Sequence, residues 1–239
     1  KGTSAGRVQS VALRLVCERE REILAFNVEE YWSITALVSP LEQNFPFPAK
    51  LLTREGQKVD LDNETDASGM AEALRQREFV VGNVKRTEKR RNPAAPFITS
   101  TLQQEAAKKL GFGSKKTMRM AQDLYEGIEI GHEGAVGLIT YMRTDSTRVE
   151  ESAAGAARSY LKTLFGEEFL ANGAQLYGDG KSRNAQDAHE AVRPTDPSRR
   201  PDVVKKYLSP DQFKLYELVW KRFMASQMAP AVLDTTTVD

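Results

Sequence analysis

The run Arg90-Arg91-Asn92-Pro93-Ala94-Ala95-Pro96 does most to limit how this chain folds. Each proline lacks a backbone N–H and pushes the residue before it into an extended form, so neither a helix nor a central strand continues through it. The run therefore reads as a linker and a domain boundary. The residue pattern changes across it.

Ahead of the linker, Val8, Val11, Ala12, Leu15, Val16 and Ile23 recur at three- and four-residue spacing and predict a helix over residues 6–25. Residues 28–38 and 49–61 alternate apolar and polar side chains, as strands do, and the prolines at 40, 46 and 48 break them apart. A short helix over 65–76 and a strand from Phe79 to Lys89 complete this part.

Beyond the linker the chain reads as helical. Ser100-Thr101-Leu102-Gln103 offers a capping box to a helix that stops at Gly111, and Ser114 caps a second helix that runs to Glu126. Helix, glycine turn, helix is the helix-turn-helix pattern. Val136 to Thr140 reads as an apolar strand, and Thr147 with Glu150 boxes a helix to about Phe165. A loop spans 166–187. Ser209-Pro210-Asp211-Gln212 opens the last helix, whose core stripe is Phe213, Tyr216, Trp220, Phe223 and Met224. Leu233 to Val238 reads as a strand that returns to the β-rich part. The fold class is α+β, mainly helical. The chain opens on a loop-like segment and closes inside a β-branched run, as an excised piece would.

The net charge of +1 conceals an asymmetry. Between Lys85 and Arg119 ten basic residues face only Glu88 and Glu105, a local +8 against −7 for the rest. A chain polarised in this way suits a polyanionic partner. No apolar stretch is long enough to span a bilayer, and no apolar run follows the N-terminus as a secretory signal requires. One cysteine and two histidines exclude a zinc site. Cys17, inside an apolar run, is expected to be a buried thiol in a reducing compartment.

Tyr141 stands between an apolar strand and a polar turn, two residues before Arg143. A phenol is a weak nucleophile at neutral pH, and a neighbouring guanidinium favours its ionised form and grips a phosphate. Ser146 and Thr147 are expected to open a helix, whose free N–H groups also favour phosphate. The ensemble suits attack on a phosphodiester. It is also, and by these residues alone more commonly, the pattern of a strand-end tyrosine with its hydroxyl in solvent. His189 and Arg193, four residues apart, suit a phosphate or an exposed loop. Arg7, Arg14 and Arg21 lie seven apart and form one stripe, drifting only about 20° per step. Lys115, Lys116 and Arg119 lie near the start of the second helix of the helix-turn-helix, where such folds meet DNA. Asp60, Asp62 and Glu64 imitate a magnesium-binding triad, but they lie in a polar turn with no apolar strand to present them, and read as solvated.

Five ordered segments resemble the type IA DNA topoisomerases, in the bacterial topoisomerase I branch. They are Ser4 to Ser10 with Glu18 to Ile23, Pro96 to Gln103, Leu138 to Ser146, Gln186 to Thr195, and Leu215 to Thr237. The resemblance implies a helical, CAP-like (winged-helix-like) nucleophile domain at 96–228 and a β-rich arch domain at 27–95. Residues 1–26 would belong to a helical gate-base domain, and 229–239 would be the strand returning to the arch. It implies that Tyr141 cleaves one DNA strand by taking its 5′-phosphate, with Arg143 assisting. Arg7, His189, Lys115, Lys116, Arg119, Asp145, Ser146 and Arg193 would contact DNA. It further implies a magnesium ion held by a toprim domain outside these residues, so that no metal is expected in this chain and the chain alone is expected to be inactive. The implied partners are single-stranded and negatively supercoiled DNA, and the implied protein is a monomer of the bacterial cytoplasm, at the nucleoid. The competing reading is a single-stranded nucleic-acid-binding module without chemistry, for which the basic segment and helix-turn-helix would suffice.

Overall fold

The computed structural model describes residues 6–42, 44–178 and 189–239. They form two compact units, one of residues 1–83 with 238–239 and one of residues 84–237. Ser4, Ala5 and Gln186 to Ala188 of the motif segments lie outside the described residues.

The first unit opens with α1 (Arg7–Leu24), whose expected apolar stripe forms but is buried by none of the described residues; Val8 is 80% exposed. Cys17 is exposed with it, so the expected burial of this thiol is not found. The arginine stripe is partly engaged, since Arg14 pairs with Glu18 at 2.6 Å. The strands are short antiparallel pairs: β1 (Thr35–Val38) with β2 (Phe47–Lys50), and β3 (Thr53–Arg54) with β4 (Gln57–Lys58). The prolines at 40 and 46 lie outside them, whereas Pro48, expected to break the chain, lies within β2 opposite Leu37. Next comes α2 (Glu64–Arg75), capped by the Asn63 side chain, which accepts the Asp66 N–H at 2.9 Å. Ala67 of α2 and Leu61 ahead of it are the buried apolar residues among the described residues of this unit. Asp239 closes the unit, its carbonyl accepting the N–H groups of Gly82 and Asn83.

In the second unit β5 (Val84–Arg91) pairs with β8 (Ala231–Val238), so the chain end runs back beside the segment that precedes the linker. Helix α3 (Thr99–Leu110) is capped by Thr101, whose hydroxyl accepts the Ile98 N–H at 3.0 Å. The expected Ser100–Gln103 box does not form, because the helix starts one residue before Ser100. Gly111 ends α3 at φ +68°, a left-handed conformation that costs glycine nothing. Helix α4 (Ser114–Glu126) follows, with Gly113 rather than Ser114 at the cap position and no side-chain cap. A small antiparallel hairpin, β6 (Ile128–Glu129) with β7 (Ala135–Val136), comes next. Then come α5 (Glu151–Phe165), the single-turn α6 (Pro201–Val204) and α7 (Pro210–Ser226). The Ser209–Gln212 box at the head of α7 forms as read from the sequence.

Helix α7 joins two apolar clusters. Leu215, Tyr216 and Val219 pack with Leu102 and Ala106 of α3 and Ala121 and Leu124 of α4. Phe223 and Met224 pack with Ala153, Ala154, Ala157 and Leu161 of α5. Phe213 and Trp220 of the expected stripe are only partly buried. Each large side chain removed from water contributes about 1.5–3 kcal/mol. Among the described residues no helix is long and apolar enough to cross a membrane.

Candidate active site

The segment Leu138–Asp145 runs through the second unit outside any helix, with a bend at Met142. Leu138, Ile139, Met142 and Thr144 are buried, whereas Tyr141, Arg143 and Asp145 are exposed. Tyr141, 48% exposed, and Arg143 thus both reach solvent on either side of a buried residue.

Two sets of hydrogen bonds hold the backbone on either side of Tyr141. On one side, Thr140 N–H donates to the Arg193 carbonyl at 2.9 Å, and Thr195 N–H donates to the Leu138 carbonyl at 3.0 Å. The Thr140 hydroxyl adds a bond to the Ala191 carbonyl at 2.7 Å and accepts the Arg193 N–H at 3.0 Å. On the other side, Thr99 N–H donates to the Thr144 carbonyl at 2.9 Å, and the Thr99 hydroxyl donates to the Met142 carbonyl at 2.8 Å while accepting the Thr144 N–H.

The expected strand at 136–140 is therefore not one ladder. β7 ends at Val136, and Leu138–Thr140 bonds instead to 192–195, with Ile139 opposite Pro194. The helix expected to open at Ser146 and Thr147 begins only at Glu151. The Thr144 and Ser146 hydroxyls accept the N–H groups of Ser146 and Arg148, and Ala191 takes the Arg148 carbonyl, so these backbone groups are engaged outside any helix. No helix N-terminus adjoins Tyr141 along the chain as the sequence reading required.

His189 comes to the same segment. Its Nδ1 lies 3.7 Å from the Asp145 carboxylate, and both side chains are exposed. Arg193, expected to meet DNA, points inward instead: its guanidinium bonds Glu190 at 2.7 Å and is 12% exposed. The other Glu190 oxygen accepts the Glu150 N–H at 3.0 Å, at the head of α5. Lys115 and Arg119 are exposed on α4. Lys116 is held by Asp211 at 2.7 Å and lies over the Phe112 ring. Arg7 lies exposed on α1 in the other unit.

Sequence reading missed Thr99, Thr140 and Glu190, which fix the segment around Tyr141, and Tyr125, whose ring meets that of Tyr141 edge-on with centroids 5.3 Å apart. Apart from Arg193, three residues from Glu190, their partners lie 16 to 53 residues away in the chain, out of reach of local pattern.

The arrangement offers an exposed phenol and an exposed guanidinium on a clamped segment, with an imidazole beside it. Such a set is open to a phosphodiester from solvent.

A family model described as DNA topoisomerase matches residues 1–239. Among solved structures, full-length topoisomerase I from Thermotoga maritima is similar, at 41% sequence identity and a TM-score of 0.76. The match covers 100% of this chain and 36% of that one, so the chain spans about a third of that protein's length.

Proposed function

Since the chain belongs to the DNA topoisomerase family, we propose that it carries the strand-cleaving tyrosine of a type IA enzyme, with Tyr141 as nucleophile. The observation that carries this reading is that Tyr141 and Arg143, two residues apart, are both exposed on a segment whose intervening Met142 is buried and whose backbone is held on either side by hydrogen bonds. A phenol needed only for packing has no use for such a platform.

In this reading the Tyr141 oxygen forms a bond to the phosphorus of a single-stranded DNA linkage, and the bond from phosphorus to the 3′-oxygen breaks. The phenol gives up its proton, and the departing 3′-oxygen takes one up. The products are a 5′-phosphotyrosine and a free 3′-hydroxyl. One phosphodiester is exchanged for another, so the reverse reaction reseals the strand without nucleotide hydrolysis. Strand passage between the two steps relaxes negative supercoils. Arg143 would hold the scissile phosphate and offset its growing charge. His189, Lys115 and Arg119 would hold neighbouring phosphates. Arg7 is assigned a DNA contact on the resemblance alone.

The family resemblance also implies magnesium. The described residues do not fit it: no three His, Cys, Asp or Glu side chains among them group as ligands, Asp60 is paired with Lys58, and Asp62 accepts from Asn63. No step above passes through a metal, and the magnesium site is proposed to lie in a toprim domain.

The test is a 3′-labelled single-stranded oligonucleotide incubated with magnesium and then denatured, so that any covalent adduct travels with the protein. Residues 1–239 alone are expected to form none; joined to a toprim domain they are expected to form one that Tyr141→Phe abolishes. An adduct that persists in Tyr141→Phe would refute the assignment. DNA binding without any adduct in the joined protein would favour a binding module instead.

A further inference from the structure

The C-terminal end of α4 is built onto the nucleophile segment at three points. The Leu138 N–H donates to the Leu124 carbonyl at 2.7 Å. Gly137 lies so close to the Tyr125 carbonyl that a Cβ there would fall 2.7 Å from the oxygen, a separation no alanine tolerates without backbone movement. The Tyr125 ring meets the Tyr141 ring at an interplanar angle of 63°.

The first two contacts fix where Tyr125 sits relative to the segment. The third is different in kind, because the two rings are 41% and 48% exposed and belong to neither apolar cluster. The backbone around Tyr141 is already held by Thr140 and Thr99. What those bonds leave free is rotation of the Tyr141 side chain, which sweeps its hydroxyl through several ångströms. An edge-on aromatic neighbour limits that rotation, since such pairs favour a narrow range of mutual angles.

From this juxtaposition we infer that Tyr125 is a positioning residue, one that holds the Tyr141 ring in the orientation from which its hydroxyl reaches phosphorus. The inference rests on the reading of Tyr141 as nucleophile. Tyr125 acts through Tyr141 and takes no part in the bond exchange. Its ring does the work, and its hydroxyl is dispensable. Misorientation lowers the rate of the chemical step but leaves the phosphate-holding groups untouched, so the loss falls on kcat and spares KM.

The experiment uses the full-length protein and a 3′-labelled single-stranded oligonucleotide, comparing Tyr125→Leu, Tyr125→Phe and Tyr141→Phe. Tyr125→Leu is expected to slow adduct formation by roughly three- to tenfold, the range set by the worth of an aromatic pair, with KM unchanged. Tyr125→Phe is expected to restore the wild-type rate, which a role for the hydroxyl would not allow. A second readout needs no activity: 3-fluorotyrosine at position 141 of the otherwise unaltered protein should show a fluorine–proton Overhauser effect to the Tyr125 ring. Wild-type kinetics in a folded Tyr125→Leu protein, or no Overhauser effect, overturns the inference. If Tyr141→Phe still forms adduct, it is the assignment of the nucleophile that fails.

Discussion

The Arg193 guanidinium lies 2.7 Å from the Glu190 carboxylate, with the two side chains only 12% and 17% exposed. The pair ties together the segments around Tyr141: Glu190 also takes the N–H at the head of α5, and the Arg193 backbone bonds Thr140. The Arg193 Nε is buried and has no hydrogen-bond partner among the described residues.

Glu190→Gln is expected to destabilise the protein by about 3 kcal/mol, because it leaves a largely buried guanidinium without its counter-charge. Glu190→Gln combined with Arg193→Met should cost less than the two single changes summed. Urea denaturation of the three variants measures this, and strict additivity would argue that the pair is not coupled.

Tyr141→Phe is expected to abolish the covalent adduct and to shift stability by no more than about 0.5 kcal/mol, since it removes one hydroxyl from a half-exposed ring. DNA affinity should stay close to wild type. A large loss of stability would mean that the hydroxyl serves the fold.

Binding to single-stranded DNA should weaken with salt. Neutralising three to five phosphates gives a slope of log K against log salt of roughly −2 to −3.5, at about −0.7 per contact. Lys115→Ala and Arg119→Ala should each make the slope shallower by about 0.7. Asp211→Asn should steepen it by a similar amount, because Lys116 is then released from its ion pair to meet a phosphate. Salt-independent binding would count against this patch of α4.

Alkaline unfolding should report on Tyr216. Burial, with Asp196 adding to it, pushes this phenol well above its usual value of 10.0, and its hydroxyl donates to the Arg199 carbonyl at 2.6 Å. The folded state keeps the proton and the unfolded state loses it. The stabilisation is therefore complete below pH 10 and falls away above it, by up to about 1.4 kcal/mol per pH unit. Tyr216→Phe should remove this group's share of the slope in urea titrations above pH 10. An unchanged slope would show that other groups govern alkaline unfolding.

The helices were legible because their signals are local: apolar spacing over α1 and α7, a glycine stop at Gly111 between α3 and α4, and the Ser209–Gln212 box. Tyr141 and Arg143 stood out for the same reason, being two residues apart. The course of the chain around them was not legible. Leu138–Thr140 was read as an ordinary strand because nothing nearby reveals a partner at 192–195. The start of α5 was placed too early because Thr147 and Glu150 have capping spacing. In the fold the bonds from Ala191 and Leu176 hold residues 148 and 149 extended. Tertiary hydrogen bonds won over a local propensity in both places. Arg193 was read as a phosphate contact from its charge; the acid that holds it, three residues earlier in the chain, makes that use secondary.

The bonds that flank Tyr141 also bear on force. On the reading of Tyr141 as nucleophile, DNA joined to this tyrosine would pull on the protein through a single side chain. That load would enter the backbone between Thr140, fastened to Ala191 and Arg193, and Thr144, fastened to Thr99 at the head of α3. Tension would thus be divided between two anchorages, so that no single hydrogen bond carries the whole of it.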